Sequence, residues 1–350
     1  MNDLTPPTAS PADPWGNVPH QVVLCNFGGP TRAEEVEAFL VRLFEDPFII
    51  RTPMKPALRS WLARYIARRR APKALAEYQA IGFSPINQAT ATQARLLEAL
   101  LRQRRPDTRV LVANRYTGPT ADEVVRQLDP AARTFVLTLY PHLCHSTTVS
   151  SLRDLDLALE RRFGHRDHPS TRIYSWWADA RFLAHGAERL TQGLVPLLAA
   201  DPARPVRVLF SAHGIPLRYH RRGDPYVNEI AAHFAELRRR AELWLATRDQ
   251  RDLARVSWHL SFQSRVGPVD WVQPYTDATI ARLGHEGGGA LLLVPISFTA
   301  DHIETLYEMD HTYRNLALAS GFADYGRVVP ANEDPELAAA LADVLGRHGF

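Results

Sequence analysis

Cysteine and long apolar runs are both scarce in this chain of 350 residues. Its two cysteines, Cys25 and Cys144, are too few for a disulfide framework or for a metal site of four thiolates. The longest apolar run, residues 290–298, falls well short of the roughly 18 residues that a membrane-spanning helix needs. We therefore expect a protein of the reducing cytoplasm that does not span a membrane.

A large excess of one charge is also lacking, because 41 Lys and Arg residues against 38 Asp and Glu residues leave a formal net charge of +3. With 45% hydrophobic residues the chain has enough apolar material for packed cores, which excludes disorder as its main character. Residues 1–20 contain five prolines and lack the charged start and apolar core of a secretory signal. We expect them to form a mobile N-terminal tail.

Basic charge is concentrated in residues 51–73, which contain eight Lys and Arg residues and no acid. Trp61, Leu62, Tyr65 and Ile66 in this segment have the spacing of one helical face. The pattern fits an anionic ligand or an acidic membrane surface, and it also fits a solvated basic face over an ordinary core stripe. A nucleic-acid partner is not expected, because the rest of the chain is net negative and contains no familiar reading motif.

Seven apolar, β-branched runs alternate with helical patterns, which predicts parallel sheets covered by helices on both faces. The runs are at residues 21–26, 110–116, 134–140, 171–176, 206–211, 256–262 and 290–298. Seven strands with this many helices exceed one compact sheet. The predicted fold class is therefore α/β, with two doubly wound, Rossmann-like lobes that separate near residues 164–170. Ligands of such folds bind beyond the carboxyl ends of the strands.

The segment after the first run predicts a turn and a helix start. Gly28 and Gly29 favour a tight turn over nucleotide binding, because the pattern G-x-G-x-x-G is absent. Thr31 and Glu34 then have the spacing of a capping box ahead of the next helix.

Two polar segments beyond predicted strands can carry chemistry. His213 lies just past the run at residues 206–211, where an imidazole can accept a proton, bind a metal or serve as a structural hydrogen-bonding group. Asp301, His302 and Glu304 follow the last run, and carboxylates with an imidazole suit a divalent cation. Asp301 and Glu304 also have the spacing of a capping box, which alone would explain both acids. Position in the sequence does not choose between these interpretations.

A series of motifs follows in unbroken order from about Val22 to about Leu345. They are L-C-N-F-G-G-P from Leu24, R-L-F-E-D-P from Arg42, Y-P from Tyr140, F-S-A-H-G-I-P from Phe210, Q-S-R-V-G-P from Gln263 and D-H-I-E-T-L-Y-E from Asp301. In these motifs the chain resembles the ferrochelatases, the enzymes that insert ferrous iron into a porphyrin to complete haem. The last motif is the most distinctive of the series.

The resemblance implies two Rossmann-like halves with a porphyrin cleft, the active site, between them. It implies a first lobe of residues 21–168 plus a C-terminal return at 321–350, and a second lobe of residues 169–320. The histidine matching His213 is implied to lie on one face of the macrocycle as a base and metal-handling group. Asp301, His302 and Glu304 are implied to form a polar path on the opposite side, with Glu304 as the principal carboxylate and, with His213, a metal ligand.

The resemblance also implies which residues surround the substrate. Positions that line the pocket in the family match Ile50, Tyr78, Tyr140, Trp271 and Phe298. Arg70 and Arg115 match positions near the propionates or the deeper polar wall.

The chemistry of metallation needs groups of these kinds. Two pyrrole N–H protons must leave while the metal sheds water, and a planar macrocycle shields its nitrogens. A pocket that bends the ring exposes them, and apolar contacts with the rest of a large substrate offset the cost of this distortion. An imidazole can accept the protons, and acids can attract and desolvate the dication.

Two features depart from the family pattern. The family's I-G-G-G-S-P is shortened to I-G-F-S-P from Ile81, with Phe83 in place of a glycine, so the local turn differs. Family members with a two-iron cluster use four cysteines, whereas the loop position falls at His145 here and the C-terminal group is absent. We therefore expect no iron–sulfur cluster and no other cofactor, with Fe(II) as a substrate.

The resulting expectation is a lyase that inserts Fe(II) into protoporphyrin IX, releases two protons and completes haem biosynthesis. One alternative is a chelatase for another pair of substrates, such as coproporphyrin or cobalt with a sirohydrochlorin-type ring. Another is a catalytically silent carrier of porphyrin or haem. The expected location is the cytoplasm, with transient contact to the inner membrane surface.

Overall fold

Two parallel β-sheets, one in each lobe, form the framework of the protein. The computed structural model describes residues 18–50, 54–164, 170–267 and 269–350. Within these residues eight strands form two four-stranded sheets, in which every neighbouring pair is parallel. The first sheet has the order β2-β1-β3-β4, with strands β1 (His20–Asn26), β2 (Arg109–Asn114), β3 (Arg133–Thr138) and β4 (Ser170–Ile173). The second has the order β6-β5-β7-β8, with strands β5 (Val206–His213), β6 (Val256–Gln263), β7 (Gly289–Pro295) and β8 (Phe322–Arg327).

Helices connect these strands and cover both sheets. The α-helices are α1 (Glu35–Glu45), α2 (Pro56–Ala80), α3 (Ile86–Arg102), α4 (Ala121–Val125), α5 (Ser150–Phe163), α6 (Ala180–Ala200), α7 (Leu217–Arg221), α8 (Tyr226–Arg248), α9 (Gln250–Arg255), α10 (Thr276–His285), α11 (Arg314–Ala319) and α12 (Pro335–Arg347). Two segments are wound as π-helices, π1 (His145–Val149) and π2 (Glu304–Tyr313). The predicted α/β class with two doubly wound lobes is confirmed.

The central strands are almost entirely buried because helices cover them from both sides. Every residue of β1 and of β7 is buried. In the first lobe, one face of the sheet packs on α3 and α12, and the other packs on α4 and α5. Continuous apolar runs of this kind are typical of parallel strands, and for this reason the sequence reveals them.

The division into lobes differs from the predicted ranges at two strands. β4 falls in the predicted second lobe, but it pairs with β3 in the first sheet. β8 falls in the predicted C-terminal return, but it pairs with β7 in the second sheet. Only the part after β8 returns to the first lobe, where α12 packs on α3 in a shared core. Residues 1–17 of the predicted tail lie outside the described residues, and His20 already belongs to β1.

The turn and the helix after β1 follow the sequence pattern with one shift. Gly28 has φ +74°, and a Cβ atom there would lie 2.2 Å from Thr117 Oγ1, so the tight turn needs glycine. The predicted capping pair is wrong by one residue. Glu35, rather than Glu34, accepts hydrogen bonds from the amide and hydroxyl of Thr31, at 2.9 and 3.0 Å.

Helix α2 forms most of the basic segment. Its buried residues, Ala63, Ala67 and Tyr78, contribute to an apolar cluster with α1. Its outward face leaves Trp61 62% exposed and Tyr65 45% exposed. In the part of the chain that the structure describes, none of the helices combines the length and the apolar character needed to cross a membrane.

Candidate active site

The carboxyl ends of three neighbouring strands bring the central polar residues together. His213 is the last residue of β5 and is in register with Gln263, the last residue of β6. The amide of His213 donates to Ser297 Oγ, 3.1 Å away, in the loop after β7. Next to it, Gly214 has no room for a side chain, because a Cβ atom would lie 2.7 Å from the carbonyl oxygen of Gln263. The backbone on both sides of His213 is therefore fixed.

An imidazole–carboxylate pair, which we call the dyad, forms the centre of the site. His213 Nδ1 lies 2.8 Å from Glu304 Oε2, at the start of π2. The same oxygen lies 3.4 Å from Gln263 Nε2 and 3.8 Å from His302 Nε2. Within the described residues, His213 Nε2 has no protein partner, and 39% of the side chain is exposed. The dyad therefore presents one free ring nitrogen to the solvent side.

The expectation that His213 and Glu304 face each other across a macrocycle is wrong in this arrangement. Atoms that contact the two faces of a flat ring are separated by roughly 7 Å, twice an ordinary van der Waals contact. The two side chains are instead hydrogen-bonded at 2.8 Å. Both groups therefore lie on the same side of any ring that approaches them.

Mutual attraction sets the charges of the dyad. Burial disfavours the imidazolium form, but the Glu304 carboxylate outweighs burial and raises the pKa of His213 above its ordinary value. Burial also opposes the charged form of Glu304, yet His213 and His302 together hold the pKa of this carboxyl well below its usual range. Glu304 is consequently a carboxylate that accepts a hydrogen bond from Nδ1–H of His213.

A second acid, Glu308, lies one turn further along π2. Burial and the negative charge of Glu304 raise the pKa of Glu308 to about 7. Its Oε2 accepts a 2.7 Å hydrogen bond from the hydroxyl of Ser264, a residue held at φ +62°. Glu308 ends the D-H-I-E-T-L-Y-E motif but was not among the predicted site residues. Ser264 and Gln263 were not predicted either, although both directly follow a predicted strand.

Asp301 is not part of the dyad, although it belongs to the same motif. Its Oδ1 accepts hydrogen bonds from Arg327 Nη1 at 2.9 Å and from Thr305 Oγ1 at 2.7 Å. Its Oδ2 accepts one from Asn332 Nδ2 at 2.8 Å. The capping-box interpretation of Asp301 and Glu304 is therefore wrong, because the two acids have separate partners and π2 begins at Glu304 itself.

Apolar and aromatic side chains from both lobes surround the dyad. The Phe298 ring contacts the His302 ring, with 4.4 Å between centroids. Trp271 packs so closely beside Gly214 that its Cε3 would lie 3.2 Å from a Cβ atom placed on that glycine. Tyr78 is buried near Glu304, and burial together with that carboxylate raises its pKa. Ile50 and Tyr78 belong to the apolar cluster of the first lobe, which also includes Ile303 of the second. Phe298, Trp271 and Tyr78 thus lie near residues of the site, whereas Ile50 is connected to it only through the cluster that it shares with Ile303.

Arg115 and Tyr140 belong to a separate polar group in the first lobe. Arg115 forms a 3.0 Å ion pair with the fully buried Asp46 and donates to Ser150 Oγ at 2.9 Å. Asp46 also accepts hydrogen bonds from Ser150 and, at 2.7 Å, from the hydroxyl of Tyr116. We call Asp46, Arg115, Tyr116 and Ser150 the Asp46 network. The hydroxyl groups of Tyr140 and Ser151 lie 3.3 Å apart at its edge.

Arg70 lies apart from both groups. Its guanidinium stacks over the Phe44 ring at 5.7 Å, on the exposed side of α2.

Among the described residues, no group of three or more His, Cys, Asp or Glu side chains has an arrangement that could hold a metal ion. Cys25 and Cys144 are both free thiols and both buried.

The two parallel α/β lobes are the fold that the motifs implied for an enzyme of the chelatase class, and the imidazole–carboxylate dyad lies beyond their strand ends. The sequence model of the family described as Ferrochelatase matches residues 20–348. The chain therefore belongs to the ferrochelatase family, as the motifs predicted. It is an enzyme of metal chelation in haem synthesis, with a porphyrin and a metal ion as substrates.

Individual relatives agree with this membership. A ferrochelatase of Synechococcus sp. (strain JA-3-3Ab) is 40% identical over 341 residues, which cover 93% of each chain. Ferrochelatase-2, chloroplastic, of Oryza sativa subsp. indica is 38% identical over 335 residues, 94% of this chain and 62% of that one. A solved structure of CbiX, the terminal enzyme of sirohaem biosynthesis in denitrifying bacteria, matches 94% of this chain and 98% of its own at 14% identity. The TM-score of this match is 0.46.

Proposed function

We propose that the protein inserts Fe(II) into protoporphyrin IX, releases two protons and so completes haem synthesis. The observation that supports this most is the 2.8 Å hydrogen bond between His213 and Glu304. Because the Glu304 carboxylate accepts from Nδ1–H, the neutral imidazole has its lone pair on Nε2. That nitrogen has no partner among the described residues and is the atom that can accept a pyrrole proton.

The proton can then be stabilised without leaving the site. Once Nε2 is protonated, the imidazolium stays hydrogen-bonded to Glu304, whose charge raises the pKa of His213. Glu308 lies next along π2 and has a pKa near neutrality, so it can exchange a proton under ordinary conditions. We propose that His213 takes protons from the macrocycle and that Glu304 and Glu308 form the route by which they leave.

The same groups suit the metal substrate. Imidazole nitrogen and carboxylate oxygen are ligands that bind Fe(II), and one carboxylate oxygen of Glu304 remains outside the bond to His213. We propose that His213 and Glu304 are the transient ligands of the arriving iron, with His302 beside them. Because Nε2 of His213 has a single lone pair, it must release the metal before it accepts a pyrrole proton. In this scheme Asp301 positions the motif and does not touch the metal, because three groups already occupy its oxygens.

The macrocycle is proposed to lie in a cleft between the lobes, against Ile50, Tyr78, Trp271 and Phe298. These side chains supply the apolar contacts that bend the ring and expose its nitrogens. Arg70 is the better candidate for a propionate, since its guanidinium is exposed. Arg115 is held by Asp46 and Ser150 and is proposed to support the pocket wall beside Tyr140.

The identity of the substrates can be tested with the purified wild-type protein. Anaerobic loss of porphyrin absorbance is followed with protoporphyrin IX, coproporphyrin and sirohydrochlorin, each with Fe(II) and with Co(II). The proposal expects the highest kcat/KM for protoporphyrin IX with Fe(II). A preference for coproporphyrin, or for sirohydrochlorin with Co(II), would replace it with one of the other chelatase activities. Tight haem binding with no metallation of any ring would identify a carrier.

We also propose that the outward face of α2 touches an anionic membrane surface. Trp61 and Tyr65 stack with 5.8 Å between ring centroids, and the Arg69 guanidinium lies 5.0 Å from the Tyr65 ring. Leu58 on the same helix is 52% exposed. Exposed aromatic groups among arginines suit the boundary between lipid headgroups and acyl chains. Such contact would be peripheral and reversible, with the protein otherwise in the cytoplasm and without a nucleic-acid partner.

We further propose that the enzyme needs no resident cofactor. Both thiols are buried, and burial raises the pKa of Cys25 to about 12 and that of Cys144 to about 11, so neither thiolate forms readily. His145, which stands at the loop position of a cluster cysteine in the family, has its Nδ1 3.0 Å from Asp224 Oδ2. Iron and acid-labile sulfide analysis of the purified protein is expected to find neither in stoichiometric amounts.

A further inference from the structure

Asn332 occupies an unusual position where the chain passes from the second lobe back to the first. It lies between β8 and α12 and has φ +51°. Asparagine adopts this left-handed conformation more readily than most residues, but a non-glycine residue held there still requires support from its surroundings. That support comes from four hydrogen bonds, which join three parts of the molecule.

Two of these bonds form a clasp with Asp301. Asn332 Oδ1 accepts from the Asp301 amide at 2.6 Å, and Asn332 Nδ2 donates to Asp301 Oδ2 at 2.8 Å. The Asn332 amide also donates to the Thr299 carbonyl at 2.9 Å. One residue therefore fixes the backbone of the loop between β7 and π2 at two points.

The remaining bond ties the same residue to the first lobe. Gln93 of α3 donates from Nε2 to the Asn332 carbonyl at 2.6 Å. A parallel link is made by Thr299, whose hydroxyl donates to the Leu139 carbonyl at 3.0 Å. The loop that carries His302 and leads into Glu304 is thus held against the first lobe.

The clasp continues toward the dyad through Asp301. Thr305 Oγ1 donates to Asp301 Oδ1 at 2.7 Å and accepts from the His302 amide at 3.0 Å. Thr305 directly follows Glu304, so the orientation of Asp301 is transmitted to the first turn of π2. Asn332 makes no contact with Glu304 or His213 among the described hydrogen bonds.

We propose that Asn332 is a positioning residue, which fixes the positions of Glu304 and His302 relative to His213. Through Gln93 it also makes these positions depend on the contact between the two lobes. The inference deepens the proposed function, because it rests on the roles given there to Glu304 and His213. A displacement of catalytic groups by about 1 Å can cost up to 100-fold in rate. Loss of the clasp should therefore lower turnover and leave porphyrin binding almost unchanged.

The test compares Asn332→Gly with Arg189→Ala. Glycine adopts the left-handed backbone readily and removes the two clasp bonds, and it also gives the return segment more backbone freedom. Arg189 donates to the Val329 and Pro330 carbonyls at 2.8 and 2.9 Å, so its removal loosens the same return segment without touching Asp301. We expect kcat to fall about 10- to 100-fold in Asn332→Gly and less than about threefold in Arg189→Ala, with the porphyrin Kd unchanged in both. A kcat within twofold of wild type for Asn332→Gly, or equal losses in both variants, would overturn the proposal.

Hydrogen exchange provides a readout that does not depend on the substrate. The Asp301 amide loses its acceptor in Asn332→Gly, so the peptide over residues 299–305 should exchange faster in that variant than in Arg189→Ala. If wild type proves inactive with protoporphyrin and Fe(II), this difference still tests the clasp, whereas equal exchange would refute it. Should Asn332→Gly fail to fold, Gln93→Leu, which removes the first-lobe anchor, is expected to give the same kcat loss and faster exchange. Wild-type values for both would overturn the coupling.

Discussion

The dyad and the Asp46 network each pair a carboxylate with a basic side chain, but only the network is closed off from solvent. In the network, Arg115, Tyr116 and Ser150 all direct donors at Asp46, whose side chain is completely buried. In the dyad, the bond between His213 and Glu304 leaves Nε2 open and 39% of the His213 side chain exposed. A closed group of charges stabilises a fold, whereas an open one can exchange a proton or bind a ligand.

The largest expected effect is on turnover at the open group. In His213→Ala the base is removed while the surrounding aromatic residues stay, so kcat should fall by about 1,000-fold, within the usual range for a general base. The porphyrin Kd, measured by fluorescence quenching, should change by less than about threefold. His285→Ala, an exposed histidine at the end of α10, is the matched control. Wild-type turnover in His213→Ala would remove the dyad from the mechanism.

Substitutions in the closed Asp46 network should lower the free energy of unfolding. Asp46→Ala leaves Arg115 without its buried partner, which typically costs about 3–5 kcal/mol. Denaturant unfolding of the first lobe should show this loss. Asp122→Ala removes an exposed carboxylate paired with Arg161 at 2.8 Å and should cost less than about 1 kcal/mol. Equal losses in the two variants would show that burial does not distinguish these ion pairs.

The pH dependence of the protein's stability should show the raised pKa of Glu308, which lies beside the dyad. Its pKa of about 7 lies above the ordinary 4.5, so the folded protein binds a proton that the unfolded chain has lost. The stability that this proton provides is fully present below about pH 4.5 and is lost as the pH rises through about 7. Glu308→Gln stays neutral, so its Tm should match wild type at pH 4 and exceed it by about 2–4 °C at pH 8.

The matched control for this titration is Glu286→Gln, which changes an exposed acid paired with Arg282 at 2.9 Å. Its Tm difference from wild type should be the same at both pH values. A pH-independent difference for Glu308→Gln as well would contradict the raised pKa.

The smallest expected effect concerns the solvent-exposed face of α2, where Trp61 is 62% exposed. Removing the exposed ring in Trp61→Ala should weaken binding to anionic lipid vesicles by about fivefold, which corresponds to about 1 kcal/mol. Leu243→Ala, a 57% exposed apolar residue on α8, should leave vesicle binding unchanged. Equal binding by wild type to neutral and anionic vesicles would exclude the basic face as a membrane contact.

The sequence predicts what depends on composition and periodicity. β1, β5 and β7 are evident because the middle of each strand is a buried apolar run. β8 reads F-A-D-Y-G-R and is buried only at Phe322, so it lacks that signal. The sequence predicted the strand β4 but assigned it to the wrong sheet, because its pairing with β3 leaves no local sequence pattern.

Within the site, chemistry was more predictable than geometry. His213 and Glu304 follow from their place beyond strand ends, but their distance does not. Asp301 and Glu304 look equivalent in the sequence. The structure distinguishes them, because Arg327 and Asn332 donate hydrogen bonds to Asp301 and so occupy its oxygens. The ion pair of Arg115 was likewise not predictable, because its partner Asp46 lies in a different motif.

The winding of π2 has a consequence for the direction of Glu304. A π-helix places about one more residue in each turn than an α-helix does, so the segment Glu304–Tyr313 holds a surplus residue relative to ordinary helical winding. If the same residues were wound as an α-helix, Glu304 would rotate by about 100° relative to α11, which is the angle of one helical residue. The carboxylate would then point away from His213 even though every residue of the dyad was still present. The winding between these two points is thus as much a requirement as residue identity.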